Sequence, residues 1–249
     1  MKICPKVSVI IPCFNAENFI ACAIESVISQ TYTNWEIIIC DDCSTDNSVE
    51  IIQTFCKLNR EIHLLKMPYN TGNPAIPRNL AIENSIGDYI AFLDADDMWL
   101  PQKLEQQIYH ILKYGYKFVY SNYEKISYSG ERKKRNVIVK KKVTYNSLLR
   151  SCDIPCLTAL FHKSIILNVR FKSIPKEDYV FWLDLFKNTK IIAYNTNEIH
   201  ALYRESKGSR SSNKLIMLKE QWKILRCYQN LNFVKSLFCI STYLAKAFF

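Results

Sequence analysis

The sequence predicts an α/β protein built on an open, mostly parallel sheet with flanking helices. Short apolar runs alternate with amphipathic helical patterns through roughly the first hundred residues, which is the pattern of βαβ units. One apolar run, Tyr89 to Leu93, leads directly into Asp94, Asp96 and Asp97. The carboxyl end of such a buried strand lies in the crevice where open α/β sheets bind ligands. A chain of 249 residues, 49% of them hydrophobic, can bury one substantial core.

The predicted elements follow one another regularly up to residue 112. The β-branched run Val7–Ile11 predicts a strand that ends at Pro12, and apolar residues at helical spacing predict a helix over Asn18–Gln30. Asp46 or Ser48 could cap the second helix. The other strands of this part are predicted at Glu36–Cys40, Ile62–Lys66 and Tyr89–Leu93, and the other helices at Val49–Leu58, Pro74–Asn84 and Pro101–Leu112.

Beyond Tyr120 the pattern becomes less regular. No repeat, low-complexity tract or Gly/Ser linker divides the sequence. We therefore expect one continuous domain over residues 1–215 and an amphipathic helical extension over residues 216–249. In this part strands are predicted at Val137–Val143, Leu157–His162 and Lys190–Asn195, and helices at Tyr145–Arg150 and Glu177–Asn188.

The acidic run after the fourth predicted strand favours a metal site. Asp94 and Asp96 are two residues apart, so an extended segment points their side chains the same way. Mg²⁺ is usually held by one or two carboxylates together with substrate phosphates. The alternative is an acidic turn that caps the following helix, because a D-x-D motif alone also occurs without a metal.

The C-terminal segment predicts an amphipathic helix. An apolar stripe of Phe233, Leu237, Ile240, Leu244 and Phe248 faces a narrow stripe of Lys235, Cys239, Thr242 and Lys246. This helix is too short and too charged to span a bilayer, so it lies in a membrane interface or packs on the core.

The net charge of +10 and two basic clusters, residues 132–135 and 140–142, favour an anionic membrane surface as partner. A solvated loop is the alternative for each cluster. No nucleic-acid motif accompanies them, so we expect no nucleic-acid partner.

The ten cysteines predict free thiols in a reducing compartment, because no N-terminal signal peptide is visible. Cys40 and Cys43 have C-x-x-C spacing, but Cys152 and Cys156 form only a weak second pair for zinc. We expect a cytoplasmic protein that can lie peripherally on the inner face of the cytoplasmic membrane.

Several short motifs, read together and in order, identify a family. They cover roughly residues 5 to 210 and resemble the family 2 glycosyltransferases, which have the GT-A fold. The resemblance implies an inverting transfer of a sugar from a nucleotide-diphosphate donor, as in the biosynthesis of bacterial cell-surface polysaccharide or lipopolysaccharide. The motifs are Val7 to Glu17, Ser29 to Tyr32, Asp41 to Asp46, Asn70 to Gly72, Pro77 to Asn79, Asp94 to Asp97, and Glu177 and Asp178 with Trp182.

The resemblance implies roles for the first two strand ends. Pro12, Phe14, Glu17 and Asp42 match the residues that hold the uracil and ribose of a UDP-sugar. A capped helix start is the alternative reading of this segment. Residues 1–120 would then form the nucleotide-sugar-binding part of the domain and residues 121–215 the acceptor-binding part.

The resemblance also implies ligands for the diphosphate and metal. Arg78 would hold phosphate or ribose, with a surface salt bridge as the alternative. Asp94 would approach the ribose or metal, and Asp96 would coordinate Mn²⁺ or Mg²⁺. Arg204 opens a cationic loop that would cover the diphosphate. Ser206 stands where the family often has a histidine, which puts a histidine contact in doubt.

Asp178 matches the position of the family's catalytic base. It would take the proton from the acceptor hydroxyl. The alternative is an acid placed favourably at a helix N-terminus. For the whole chain, the alternatives are a sugar nucleotidyltransferase and a catalytically inactive nucleotide-sugar-binding or membrane-associated protein. The nucleotidyltransferase would want a Gly-rich loop after the first strand, which is absent.

Overall fold

The computed structural model describes residues 4–205 and 214–248. Its helices are α1 Ile20–Ile28, α2 Ser48–Leu58, α3 Ala75–Glu83, α4 Lys103–Tyr114, α5 Tyr145–Leu148, α6 Glu177–Thr189, α7 Lys214–Lys223 and α8 Phe233–Phe248. Its strands are β1 Val7–Cys13, β2 Trp35–Asp41, β3 Ile62–Lys66, β4 Tyr89–Phe92, β5 Met98–Trp99, β6 Phe118–Ile126, β7 Arg132–Val137, β8 Lys142–Val143, β9 Leu160–His162 and β10 Ala193–Arg204.

One sheet runs through the molecule in the order β3-β2-β1-β4-β9-β6-β10-β5, with β7 and β8 paired to β6 and β10. Strands β1 to β4 are parallel neighbours. The antiparallel strand β9 joins β4 to β6, and β6 is again parallel to β10. Strands β1 to β4, β6 and β10 therefore point the same way, and the expected open, mostly parallel sheet is confirmed.

Alternate residues of the central strands enter two hydrophobic layers, one on each face of the sheet. Val9 and Ile37 face the layer that contains α1 and α4, whereas Ile10 and Ile38 face the layer that contains α3 and α6. Burial on both faces explains why these strands read as continuous apolar runs. The second layer also includes Ile240 of α8, so the C-terminal segment contributes to the main core.

The predictions beyond residue 120 need corrections. Residues 137–143 do not form one strand, because β7 ends at Val137 and β8 begins at Lys142. The basic cluster 132–135 lies in β7, an exposed antiparallel neighbour of β6, where lysine and arginine suit an edge strand. The last strand continues to Arg204, beyond its predicted end at Asn195. The sequence pattern does not show this continuation, because an irregularity in register, with Asn197 at a φ of 65°, interrupts the side-chain alternation.

Candidate active site

The loops after β1, β2 and β4 meet at one edge of the sheet, because parallel strands present their carboxyl ends together. Pro12 and Cys13 end β1, Asp42 follows β2, and Asp94 follows β4. Several of the predicted site residues are thus brought together by the parallel part of the sheet.

A cavity of about 330 Å³ opens between the β1 and β2 loops. Thr71 donates to the carboxylate of Asp42 from its backbone N–H at 2.9 Å and its hydroxyl at 3.0 Å, which fixes that side chain. The Phe14 ring is 49% exposed, so its face is open to a ligand. The cavity is lined by Pro12, Cys13, Phe14, Asp42, Gly72, Asn73, Pro74 and Pro77.

Two further cavities continue from the first. A volume of about 420 Å³ contacts Pro12 and Phe14 at one end and Asp94, Asp96 and Asp97 at the other. A third volume of about 330 Å³ shares Asp94 with the second and reaches Asp178. Because adjacent volumes share lining residues, they form one cleft from Phe14 to Asp178. The third volume is also lined by Arg78, Tyr123, Pro155, Cys156, Leu157, Glu177 and Tyr203.

Glu17 does not line any of the three cavities. Its carboxylate accepts from the backbone N–H of Asn47 at 3.0 Å and from the Asn47 amide at 2.8 Å. Asp46 in turn accepts from the backbone N–H of Glu17. These bonds tie the loop after β1 to the start of α2. A contact between Glu17 and a nucleotide stays a prediction.

Arg78 is buried and joins the acidic loop in the middle of the cleft to α6 at its far end. Its guanidinium donates to Asp94 at 2.5 Å and to Glu177 at 2.8 Å. Burial opposes the charge, but Asp94 and Glu177 hold the pKa of Arg78 well above its ordinary value. Both terminal nitrogens are engaged, so Arg78 acts in this structure as a clamp between the D-x-D loop and α6. The salt-bridge alternative holds, except that the pairs are buried and not at the surface. A contact of Arg78 with phosphate or ribose stays a prediction.

The three aspartates after β4 crowd negative charge into the cleft. Burial raises the pKa of Asp96, and the neighbouring charge of Asp94 raises it further. Burial also raises the pKa of Asp97, whose carboxylate accepts from the backbone N–H of Arg204 at 2.8 Å. Asp97 therefore supports the turn, and Asp94 and Asp96 face the cleft.

This donor set suits a hard divalent cation. Across the described ranges, no three or more acidic, histidine or cysteine side chains converge as a complete metal site. Mg²⁺ does not require such a group, because it takes one or two carboxylates and completes its shell with water and substrate phosphates. Asp94 and Asp96 offer that partial set, and a cation would relieve their mutual repulsion.

Arg204 lies behind the acidic loop and does not line the cleft. Its Nε donates to the carbonyl of Asp96 at 2.7 Å, and its Nη1 donates to the carbonyl of Tyr128 at 2.7 Å. The guanidinium also lies 4.8 Å from the Phe19 ring. Arg204 thus braces the D-x-D turn, and its contact with a diphosphate stays a prediction. Ser206, with Lys207 and Arg210 of the same loop, lies outside the described residues.

Asp178 stands in the first turn of α6 at the far end of the cleft. Burial, and after it the charge of Glu177, raise the pKa of Asp178 to about 6. Arg78 and the backbone N–H of Tyr179, which donates at 2.7 Å, act in the opposite direction. A pKa near 6 leaves the carboxylate ionised at neutral pH, yet basic enough to accept a proton during a reaction.

Sequence reasoning missed the wall opposite Asp178. Pro155, Cys156 and Leu157 form it, together with Tyr123 and Tyr203. No motif marks Tyr123 or residues 155–157, whereas Tyr203 directly precedes Arg204 of the cationic loop. Trp182 of the same motif as Asp178 is fully buried and belongs to the core.

Comparisons with known proteins agree with this geometry. The sequence model of the family described as glycosyl transferase family 2 matches residues 8–169. The UDP-Glc:alpha-D-GlcNAc-diphosphoundecaprenol beta-1,3-glucosyltransferase WfgD of Escherichia coli is 40% identical over 92% of each chain. The putative teichuronic acid biosynthesis glycosyltransferase TuaG of Bacillus subtilis is 34% identical over 98% of this chain and 96% of its own length.

Solved structures share the fold. S. aureus TarS in complex with UDP-GlcNAc has a TM-score of 0.75 and 19% identity, over 96% of this chain and 71% of that chain. The mannosyltransferase PcManGT from Pyrobaculum calidifontis, in complex with GDP-Man and Mn²⁺, has a TM-score of 0.66 and 14% identity, over 91% and 64% of the two chains. The expected family and GT-A fold are confirmed, and the sugar nucleotidyltransferase alternative is dropped: the chain belongs to glycosyl transferase family 2 and is a glycosyltransferase.

Proposed function

We propose that this enzyme transfers a hexose from a UDP-sugar, with inversion, to a hydroxyl of a lipid-linked sugar in the assembly of a cell-surface polysaccharide. The observation that carries the proposal is the continuous cleft from the Phe14 ring, past Asp94 and Asp96, to a carboxylate of pKa about 6. The names of two relatives narrow the choice of donor and acceptor. Two E. coli glucosyltransferases, 40% and 37% identical, carry names that specify UDP-Glc and alpha-D-GlcNAc-diphosphoundecaprenol.

The donor half of the cleft would hold the nucleotide. Phe14 offers a flat face for the base, and Asp42, fixed by Thr71, can accept from the base or the ribose. A Mn²⁺ or Mg²⁺ ion held by Asp96 and Asp94 would supply positive charge to the leaving diphosphate. Binding in this orientation directs the sugar toward Asp178.

The transfer step needs one base. The acceptor hydroxyl oxygen attacks C1 of the donor sugar from the face opposite the diphosphate, and its proton passes to the Asp178 carboxylate. The bond between C1 and the phosphate oxygen breaks with its electrons, so UDP leaves as the anion. Glu177 is held by Arg78 at 2.8 Å, which leaves Asp178 as the carboxylate free to accept the proton.

A lipid-linked acceptor would confine the reaction to a membrane. In the described parts of the chain, no helix is long and apolar enough to cross a bilayer. We therefore propose that the enzyme works peripherally, on the inner face of the cytoplasmic membrane, where an anionic leaflet attracts its net charge of +10.

The proposal is tested with purified full-length protein, a panel of UDP-hexoses, Mn²⁺ or Mg²⁺, and an α-GlcNAc diphosphate with a short, water-soluble lipid tail. We expect UDP release that requires the acceptor and the metal, and a disaccharide product with the opposite anomeric configuration to the donor. Asp178→Asn serves as the inactive control. UDP release no faster than in this control, with every donor in the panel, would contradict the proposal and favour a non-catalytic binding protein.

A further inference from the structure

Helix α8 has two apolar faces. Ser236, Cys239 and Ile240 are buried against the core. On the other side, Phe233, Val234, Leu237 and Phe238 are 60%, 76%, 53% and 54% exposed, and we call these four residues the exposed apolar face. The predicted stripes are therefore wrong in one respect: Cys239, expected on the polar stripe, and Ile240, expected beside Leu237, both pack inward.

The core-facing side of α8 lies close to the start of the helix that carries Asp178. The Arg150 guanidinium stands 5.2 Å from the Phe238 ring, and the Lys176 ammonium stands 5.8 Å from the Tyr243 ring. Phe238 and Tyr243 are about 7.5 Å apart along the helix axis, at 1.5 Å per residue. Tyr243 lies on the same side of the helix as the buried Ser236. Since Lys176 directly precedes Glu177 and Asp178, α8 packs beside the start of α6.

The C-terminal segment that carries this face is positively charged. Residues 214–249 contain six lysines and arginines and a single acid, Glu220, and α8 itself contains no acid. An apolar helix face with basic neighbours is the combination that binds the interface of an anionic bilayer. A second copy of this basic chain would meet like charge there. Four side chains also form too small a patch for a stable protein interface, which needs about 800 Å² on each partner.

We propose that the exposed apolar face of α8 inserts into an anionic membrane leaflet, with Arg150 at the level of the lipid headgroups. This docking turns the acceptor end of the cleft toward the leaflet, so that the diphosphate sugar of a lipid-linked acceptor reaches Asp178 while its tail stays in the bilayer. The inference rests on the proposed function for the identity of the acceptor, whereas the membrane contact itself does not depend on it.

The first experiment measures co-sedimentation with vesicles, using point variants. Truncation before α8 is unsuitable because it would remove Cys239 and Ile240 from the core. The test variant is Val234→Glu/Leu237→Glu. The matched control is Leu58→Glu/Ile86→Glu, which changes the charge equally at apolar residues that are 81% and 72% exposed elsewhere.

We expect the wild type and the control to bind vesicles that contain phosphatidylglycerol, and to bind neutral phosphatidylcholine vesicles or high-salt samples weakly. The test variant should lose binding by about tenfold or more, because two charges would enter the apolar interface. Equal binding by the test variant and the wild type would overturn the proposal, as would equal binding of the wild type to neutral and anionic vesicles.

The second experiment separates the docking surface from the chemistry. Transfer is measured with the short-tailed soluble acceptor and with a long-tailed acceptor embedded in anionic vesicles. The test variant should keep wild-type rates on the soluble acceptor and lose activity on the embedded one. Failure of the wild type on both acceptors would contradict the proposed function alone, since vesicle binding still decides the docking surface. Wild-type rates of the test variant on the embedded acceptor would contradict the docking surface alone.

Discussion

The proposed donor and acceptor halves of the cleft are built in different ways. The donor half consists of short loops that follow the parallel strands β1, β2 and β4. Its predicted nucleotide and metal ligands belong to short sequence motifs. The acceptor half is assembled from Tyr123 of β6, the segment 155–157, Tyr203 of β10 and the first turn of α6. Local motifs therefore suffice to predict the proposed donor half, whereas the proposed acceptor half forms only once distant segments have folded together.

The largest expected effect is in the donor half. Asp96→Ala should lower the transfer rate by about 10³-fold, because a metal on a leaving diphosphate contributes several kcal/mol to the transition state. Metal-dependent UDP binding, measured by titration calorimetry, should be lost with it. The exposed Glu25→Ala is the matched control and should behave as wild type. Full activity of Asp96→Ala, or of the wild type in EDTA, would refute the metal assignment.

A substitution at Asp178, in the acceptor half, should change the transfer rate without changing the affinity for UDP. Asp178→Asn removes the proton acceptor but keeps the side-chain shape, so the transfer rate should fall by about 10²-fold or more while UDP affinity stays constant. In the wild type, the rate should fall tenfold per pH unit below about 6, because protonated Asp178 cannot accept a proton, and should level off above that pH. If the variant instead loses UDP affinity and keeps its turnover, Asp178 binds the donor and Glu177 becomes the candidate base.

Arg78 tests the connection between the halves. Arg78→Met leaves Asp94 and Glu177 without their partner. The free energy of unfolding should fall by about 2 kcal/mol, less than for a fully buried pair because the Asp94 side chain is 34% exposed. Since Arg78 lowers the pKa of Asp178, its loss should also move the acid limb of the rate profile above pH 6.

The control for this variant is Arg170→Met, which breaks an exposed pair with Glu83 and should cost less than about 1 kcal/mol in chemical denaturation. An unchanged acid limb in Arg78→Met would show that the two halves are not coupled through this residue.

The smallest effect should be confined to the nucleoside. Phe14→Leu keeps an apolar side chain but loses the aromatic face, so UDP affinity should fall by about fivefold, which is about 1 kcal/mol, at unchanged kcat. Tyr109→Leu, at an exposed ring on α4, is the control. A fall in kcat at constant UDP affinity would show that Phe14 acts in the transfer step. It would contradict the separation of donor binding from transfer between the two halves.

Much of the fold could be predicted from sequence, because the central strands are buried on both faces and read as apolar runs. Strand β6 was missed since its buried residues include the polar Ser121, Asn122 and Glu124, which interrupt such a run. Asn122 and Glu124 are paired with residues of other strands, whereas the buried Ser121 hydroxyl has no hydrogen-bond partner among the residues that the structure describes. Glu124, for example, accepts from Arg132 of β7, and Asn122 accepts from the amide of Asn195.

The difference between local patterns and contacts with distant residues also explains which parts of the candidate site could be predicted. Asp94, Asp96 and Asp178 could be found from local motifs. The salt bridge between Arg78 and Glu177 joins positions 99 residues apart, so no local pattern reveals it. The brace formed by Arg204 depends on a hairpin carbonyl at Tyr128 in the same way.

Lys176, the residue before the acidic pair of α6, has a consequence for engineering this enzyme. Its backbone is left-handed, with a φ of 57°, which costs a non-glycine residue about 1 kcal/mol. Its side chain donates to the carbonyl of Met217 at 3.2 Å and lies 3.8 Å from Glu220, both in α7. A chimera that exchanges acceptor specificity should therefore transfer α6, α7 and α8 as one block. A junction at residue 169, where the family match ends, would be safe only if everything after it came from a single parent.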